Sequence, residues 1–151
     1  MGNEPSEKKA LDAAYRFLTQ RPHSRMELQR KLARKNFGPE EIEKALGSLC
    51  RQGYVNDEEI SLRWSQSLVR ERGWGKAKIA FYLIQKGINS DIINRVQQII
   101  WQEFSEEETA RKALKKRFSP DNKNPLQAKA AAFLKSRGFS SEVIYKLVNE
   151  L

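Results

Sequence analysis

The chain has 151 residues, which suits one compact domain or a short series of repeated units. Its 28 lysines and arginines against 19 acidic residues give a formal net charge of +9, a balance that favours nucleic acid or an acidic protein as partner. The single cysteine excludes an internal disulfide, and the lack of a long apolar run excludes a membrane-spanning helix and a membrane partner. We therefore expect a cytoplasmic protein.

The first predicted helix covers about Glu7–Gln20, because apolar side chains recur at helical spacing on one face. They are Leu11, Ala14, Tyr15 and Leu18. Ser24 and Glu27 then stand at the spacing of a capping box, in which a serine and a glutamate three residues later bind the first free N–H groups of a helix. A second helix is therefore predicted to start at this serine.

Three segments repeat at intervals of 51 residues. They are LQRKLARKNFGPEEI, IAFYLIQKGINSDII and AAAFLKSRGFSSEVI, which begin at Leu28, Ile79 and Ala130. In this register Leu32, Leu83 and Leu134 occupy one position, so we expect them to fill equivalent buried sites. The further apolar columns are Phe37, Ile88 and Phe139; Ile42, Ile93 and Ile144; and the pairs Ala45/Leu49, Val96/Ile100 and Leu147/Leu151.

The residues that end and restart helices repeat in the same register. Asn36, Gly87 and Gly138 share a column, and Asn and Gly best tolerate the left-handed conformation that ends a helix. Three residues later the next helix is predicted to open, in each case with an acid that suits the positive end of the helix dipole. The opening pairs are Pro39/Glu40, Ser90/Asp91 and Ser141/Glu142.

Each repeat is also preceded by a further predicted helix. In the second repeat it covers about Asp57–Glu71, and in the third a capping box of Ser105 and Glu108 opens it. A loop is predicted over 119–125, and no stretch alternates like a strand. The predicted fold is therefore all-α, with nine helices in three tandem three-helix repeats. The boundaries are 1–56, which includes a short polar N-terminal tail, 57–105 and 106–151; such repeats favour an elongated, curved array.

Catalytic and metal-binding patterns are missing from the sequence. His23 is the only histidine and stands in a turn, where we expect it to be solvated. There is no phosphate-binding glycine loop and no cluster at metal-ligand spacing. We predict a protein that is not an enzyme and needs no cofactor or metal.

The candidate nucleic-acid contacts are basic side chains grouped along three helices and one connector. Each group has an alternative reading as an ordinary solvated helix face. Trp64 and Trp101 lie on apolar stripes and are expected in the core, whereas Trp74 stands in a basic connector as a contact candidate, with packing on Tyr54 or Phe81 as the alternative. The candidates are Arg30, Lys31, Arg34 and Lys35; Arg70, Arg72, Trp74, Lys76, Lys78 and Lys86; and Arg111, Lys112, Lys115 and Lys116.

Two central segments resemble the signature of the RecX regulatory proteins. They are GYVND at 53–57 and RERGWGKAKIAFYLIQKGI at 70–88, and SRMELQRKLARKNF from Ser24 resembles the family's first-repeat motif. Lys78 stands where that family usually has arginine, which keeps the charge and loses the two-pronged hydrogen-bonding geometry. The matching signature positions are Gly75, Ile79, Leu83, Lys86, Gly87 and Ile88.

This resemblance implies tandem three-helix repeats and a role in DNA repair, homologous recombination and the SOS response. It implies that the chain binds the RecA recombinase and inhibits strand exchange, ATP hydrolysis and coprotease activity. The partners implied are RecA and single-stranded DNA, with duplex DNA as a further ligand, bound by a monomer. The binding mode is left open between lying in the filament groove and limiting filament growth. The alternative is an autonomous helical DNA-binding protein of the helix-turn-helix type.

Overall fold

The computed structural model describes residues 6–118 and 127–151, and every regular element in these ranges is helical. The predicted all-α fold with nine α-helices is confirmed over the described residues. The loop predicted over 119–125 lies outside them. The helices are α1 (Ser6–Gln20), α2 (Arg25–Arg34), α3 (Pro39–Arg51), α4 (Asp57–Ser67), α5 (Lys76–Gln85), α6 (Ser90–Glu103), α7 (Glu106–Arg117), α8 (Gln127–Ser136) and α9 (Ser141–Asn149). None of these helices has the length and apolar character needed to cross a membrane.

The predicted helix starts agree with the capping geometry. The Ser24 hydroxyl accepts from the Glu27 N–H at 3.1 Å, and the Glu27 carboxylate accepts from the Ser24 N–H at 3.1 Å, which completes the capping box of α2. Ser105 caps α7 by accepting from the Glu108 N–H at 3.1 Å. The helix starts were therefore encoded locally, in residues three positions apart.

The predicted helix ends are confirmed by the backbone angles. Asn36, Gly87 and Gly138 have φ values of 69°, 81° and 84°, all in the left-handed region. Asn36 is the one residue other than glycine with positive φ in the described ranges. The same column thus ends α2, α5 and α8 in the same way.

The predicted apolar columns are largely buried. Leu32, Leu83 and Leu134 each have no exposed surface, so the repeat register places them in equivalent interior sites. Three members differ from the prediction: Phe37 and Ile144 are half-buried, and Leu151 is 40% exposed. Leu151 lies beyond the end of α9 at Asn149, so it does not share the buried face of that helix.

Backbone contacts divide the chain into two compact units. The first is Met1–Ile60 with Lys86–Asn89, and the second is Ser61–Gln85 with Ser90–Leu151. In the first, α1 packs on α2 and α3. In the second, α5 packs on α6, and α7, α8 and α9 pack on one another around Ala110, Leu134, Phe139 and Leu147. The boundaries between the three predicted repeats, at 56/57 and 105/106, remain a prediction. The core of the first unit is Ala13, Ala14, Leu28, Leu32, Ile42, Leu46, Leu49 and Val55.

The fourth helix ends differently from the prediction. It is α-helical only to Ser67 and continues as one π-helical turn over Leu68–Arg72, which closes at Gly73 with φ 63°. The Gly73 N–H bonds to the Val69 carbonyl at 3.1 Å. A π turn holds one extra residue, which hydrophobic spacing does not signal, so a continuous α-helix was predicted here. Such turns are frequent at functional sites.

A backbone contact in the second unit explains why glycine stands at Gly75 of the signature and at Gly138 of the repeat column. The Gly75 N–H bonds to the Arg137 carbonyl at 2.8 Å, and the Ala77 N–H bonds to the Gly138 carbonyl at 2.9 Å. A Cβ on Gly75 would lie 2.7 Å from the Gly138 oxygen, and a Cβ on Gly138 would lie 2.3 Å from the Lys78 nitrogen. The start of α5 and the turn after α8 therefore meet through residues that lack side chains.

Candidate nucleic-acid interface

A cavity of about 510 Å³ in the second unit concentrates positive charge. One wall is the π-helical turn and Gly73, another is α7, and the end of α8 completes it. Its only acidic lining residue among the described residues is Glu71, so the charge is strongly positive. We call this the basic cavity; its cationic lining residues are Arg70, Arg72, Lys112, Lys116, Arg117 and Arg137.

The basic cavity also has aromatic walls. Phe104 and Phe133 line it, and both are half-buried. The Arg70 guanidinium lies 5.4 Å from the Phe104 ring centre, and the Arg137 guanidinium lies 5.0 Å from the Phe133 ring centre. Arg137 also donates to the Arg72 carbonyl at 2.9 Å. These contacts hold two planar cations against two rings, a combination that suits a ligand with both a phosphate and a flat base.

Trp74 lies in the connector between the π-helical turn and α5. It is half-buried, and its ring stands edge-on to Tyr82 at a centre-to-centre distance of 6.0 Å. Tyr82 differs from the two packing partners predicted from the sequence, Tyr54 and Phe81. The Lys78 ammonium lies 4.4 Å from the Trp74 ring centre. Burial, together with the positive charges of Arg137 and Arg72, lowers the pKa of Lys78. The connector is therefore a crowded cationic site.

Lys76 is exposed at the start of α5, and its backbone is held firmly. Its N–H donates to the Glu106 carboxylate at 3.2 Å, and its carbonyl accepts from the Gln97 amide at 2.9 Å. Glu106 also accepts from the Ser140 hydroxyl at 2.7 Å. One buried carboxylate thus caps α5 and binds the serine that precedes α9, and leaves the Lys76 side chain in solvent.

Arg111, a predicted contact, is engaged by acids. Its guanidinium donates two hydrogen bonds of 2.9 Å to Glu150 and one of 2.8 Å to Glu107, and it also reaches Glu108. These hydrogen bonds raise the pKa of Arg111 above its ordinary value. Contact between Arg111 and a phosphate would require breaking these pairs. Lys115, on the same helix, is exposed.

The candidates on α2 lie in the first unit, and none of them lines the basic cavity. Arg30, Arg34 and Lys35 are exposed, and the Lys35 ammonium lies 5.6 Å from the Phe17 ring centre. Lys31 turns inward: its ammonium lies 5.0 Å from the Phe17 ring centre and 2.6 Å from His23 Nε2. Burial and the charge of Arg21 lower the pKa of Lys31.

The expectation that His23 is solvated is wrong, because only 2% of its surface is exposed. Its Nδ1 lies 2.9 Å from the Arg21 carbonyl, so Nδ1 carries the hydrogen and Nε2 accepts from Lys31. Burial lowers the pKa of His23, and the positive charges of Arg21 and Lys31 lower it further. The histidine is therefore a neutral, hydrogen-bonded part of the turn before α2.

Lys86, a candidate contact from the central signature, is tied to the α2 capping box. Its ammonium lies 3.2 Å from the Glu27 carboxylate, and its carbonyl accepts from the Ser24 hydroxyl at 2.7 Å. Burial would raise the pKa of Glu27, but hydrogen bonds from Arg21, Ser24 and Lys86 lower it to about 2. Lys86 thus has a structural role in the first unit.

Acid should destabilise the first unit in two stages. A histidine whose pKa is lowered by folding contributes stability that is complete above the unfolded pKa of about 6.5 and is lost as the pH falls through the folded value. Glu27 contributes stability that is complete above pH 4.5 and is lost as the pH falls from 4.5 toward its folded pKa of about 2. Urea unfolding followed by circular dichroism at about pH 7.5, 5.5 and 3 would measure both losses.

The first stage should depend on His23 alone, because it is the only histidine in the chain. A His23→Gln variant cannot titrate in this range, so its unfolding free energy should change little between about pH 7.5 and 5.5 and still fall below about pH 4.5. An equal loss in the variant and the native chain above pH 5.5 would contradict the role of His23.

Trp64 and Trp101, expected in the core, are half-buried instead. Trp64 stands edge-on to Tyr82 at 5.7 Å, and the Trp101 indole N–H donates to the Gln97 side chain. An indole has a polar edge, so its place on an apolar helix stripe is compatible with one side reaching solvent.

The fold brings together some candidates that are far apart in the sequence. Arg70 and Arg72 meet Lys112 and Lys116 in the basic cavity. Sequence reasoning missed four cationic or aromatic lining residues. One of them is an arginine outside the basic runs, and two are aromatic residues without a motif. Arg117 directly extends the Lys115–Lys116 run, which was a usable signal. The missed residues are Phe104, Arg117, Phe133 and Arg137. Among the described residues there is no group of three side chains that could hold a metal ion.

Comparisons with known proteins agree over nearly the whole chain. Residues 10–49, 56–96 and 105–148 match the models of the first, second and third three-helix domains of RecX. The chain is 33% identical over 149 residues to the regulatory protein RecX of Chlorobium phaeobacteroides (strain BS1), covering 98% of this chain and 97% of that one. It is 35% identical over 152 residues to the regulatory protein RecX of Legionella pneumophila (strain Corby), covering 95% of each. The crystal structure of RecX from Lactobacillus salivarius superposes with a TM-score of 0.82 at 23% identity, covering 97% of this chain and 96% of that one.

Proposed function

Because this chain belongs to the RecX family of regulatory proteins, we propose that it regulates the RecA recombinase. In this proposal it binds RecA and the filament that RecA forms on single-stranded DNA. Binding inhibits recombinase, ATPase and coprotease activity, either from within the filament groove or by limiting filament growth. The chain acts by binding and not by catalysis.

The basic cavity is the observation that supports this proposal most directly. Folding does not require six cations around one cavity, since like charges repel and exposed charges add little stability. Lys112 and Lys116 are exposed and make no ion pair with any residue in the described part of the chain. Such cations attract polyanions over long distances and release counterions when they pair with phosphate.

The proposal is tested by RecA ATPase activity on single-stranded DNA, measured with and without this protein. We expect the rate of ATP hydrolysis to fall as the protein is added. Binding to bare single strands, to RecA-coated strands and to duplexes of several sequences separates the alternatives. Preference for coated strands supports the RecA regulator, whereas strong preference for one duplex sequence would indicate an autonomous DNA-binding protein. An unchanged ATPase rate at saturating protein would refute the proposal.

Reversing two charges at the start of α5 should abolish inhibition and keep the fold. Lys76 is exposed, and Lys78 lies near the positive charges of Arg72 and Arg137, so a Lys76→Glu/Lys78→Glu variant relieves repulsion within the protein. The relieved repulsion stabilises the fold, whereas loss of the Lys78 contact with Trp74 destabilises it. Because these two effects oppose each other, we expect the unfolding free energy to change by about 1 kcal/mol or less in either direction. Toward phosphate or acidic protein the new carboxylates are repelled, so inhibition of RecA ATPase should be lost.

The matched control is Lys129→Glu/Lys135→Glu, which makes the same charge change at two exposed positions of α8 outside the basic cavity. It should retain most of the inhibition. Melting temperature and helical content are measured for both variants. A folded Lys76→Glu/Lys78→Glu variant with full inhibitory potency would contradict a role for these two lysines in inhibition.

A further inference from the structure

We propose that the basic cavity is a site for an unpaired nucleotide of single-stranded DNA, with the base against the aromatic walls and the adjacent phosphates paired with Lys112 and Lys116. This inference rests on the proposed function and names the part of the surface that holds the strand. It assigns nucleic-acid binding to the second unit and leaves α2 of the first unit outside the site.

The charges in the cavity are arranged for phosphate. Lys112 and Lys116 stand one helical turn apart on α7, so their ammonium groups share one face. Arg72 is exposed on the wall formed by the π-helical turn and, like the two lysines, has no ion-pair partner among the described residues. Glu71 is the only lining acid in this part of the chain, and it accepts a hydrogen bond from Ser67 at 3.1 Å. Cationic side chains on two walls of one cavity suit a polyanion that enters it.

The aromatic walls distinguish a single strand from a duplex. Phe104 and Phe133 supply apolar surface inside the cavity, and each ring has a guanidinium beside it. Bases of a single strand stack on such rings and guanidinium planes. In a duplex the faces of the bases are covered by their neighbours, so only the phosphates remain for the cavity to bind. A volume of about 510 Å³ lies within the range of known small-ligand sites.

The test compares three probes on the native protein by fluorescence anisotropy: a single-stranded thymidine oligonucleotide, an abasic strand of the same length, and the corresponding duplex. The abasic strand has the same phosphates and no bases, so it isolates the contribution of the base and needs no protein variant. We expect the thymidine strand to bind about tenfold more tightly than the abasic strand. Equal affinity for these two strands would overturn the base site.

Two variants separate the phosphate contacts from the base contact. Lys112→Gln/Lys116→Gln should weaken binding of every probe and reduce the slope of log affinity against log salt by about 1.4, or about 0.7 per lost contact. Phe104→Leu should weaken only the thymidine strand and leave the salt slope unchanged. The control Lys129→Gln/Lys135→Gln, with the same charge loss on α8, should retain more of the affinity than the cavity pair. A cavity variant that behaves like this control would overturn the site.

Failure of this inference differs from failure of the proposed function. If the Lys112→Gln/Lys116→Gln variant keeps the native salt slope while the native protein inhibits RecA ATPase, the cavity is not the strand site and the regulator proposal stands. If the native protein shows the expected strand and abasic affinities without changing RecA ATPase, the cavity site stands and the regulator proposal fails. Displacement of the strand by free ATP at a lower nucleotide concentration than by unlabelled strand would overturn the strand and assign a free nucleotide.

Discussion

A Gly138→Ala variant is expected to lose about 2–5 kcal/mol of unfolding free energy. Two costs add at this position. Alanine at a φ of 84° is strained by about 1–2 kcal/mol, and its Cβ would lie 2.3 Å from the Lys78 nitrogen. That backbone cannot retreat easily, because the adjacent Ala77 N–H is bonded to the Gly138 carbonyl at 2.9 Å. Overpacking of this kind costs a further 1–3 kcal/mol or so.

Gly53→Ala is the matched control, since Gly53 has a φ of 81° and a Cβ there would meet nothing within 4 Å. It carries the conformational strain without the close approach, so its loss should be about 1–2 kcal/mol. Urea unfolding of both variants, followed by circular dichroism, measures the difference. Equal losses would show that the contact between the Gly138 turn and the start of α5 contributes nothing beyond backbone strain.

A Leu83→Ala variant should lose a similar amount, about 2–5 kcal/mol, because it removes a fully buried side chain and leaves a cavity. Leu32 and Leu134 occupy the same column and are equally buried, so their alanine variants should fall in the same range. The neighbouring Ile84 is 59% exposed, and Ile84→Ala should change the unfolding free energy by about 0.5 kcal/mol or less.

The comparison tests the 51-residue register itself. A Leu83→Ala loss no larger than that of Ile84→Ala would mean that the column does not mark equivalent interior sites. Thermal and urea unfolding of the four variants together give the required ranking.

The candidate interface was predictable only in part. The sequence showed basic runs on α2, on α7 and around Trp74, but it did not show which of these runs lie together in the fold. The net charge is +4 in each of the segments 1–56 and 106–151 and only +1 in 57–105, yet Arg70 and Arg72 of the central segment line the basic cavity with α7. Arg111 stood in the same run as Lys112, and only the structure assigns it to Glu150 and Glu107. A residue type shows which chemistry is available, whereas the neighbours in space decide whether that chemistry is already used.

The burial of His23 likewise depends on neighbours that only the fold brings to it. A histidine in a turn is usually solvated, and nothing near it in the sequence signals burial. The fold places Lys31 and Phe17 against it, so the ring becomes a neutral acceptor in the interior. The capping box of Ser24 and Glu27 was predictable because its partners lie three residues apart, but the Lys86 contacts that bind both residues come from 59 and 62 residues away.

By itself the sequence determined the features that depend on interactions between residues close in the chain and on the periodicity of apolar residues. Hydrophobic spacing, capping pairs and the Asn36, Gly87 and Gly138 column defined the all-α fold and the places where helices stop, because those signals act within one or two turns of the chain. The tertiary structure alone decided the π-helical turn, the close approach of Gly75 to Gly138 and the grouping of cations into one cavity. Each of these depends on packing between segments far apart in sequence, where burial and electrostatics are set by whichever atoms meet.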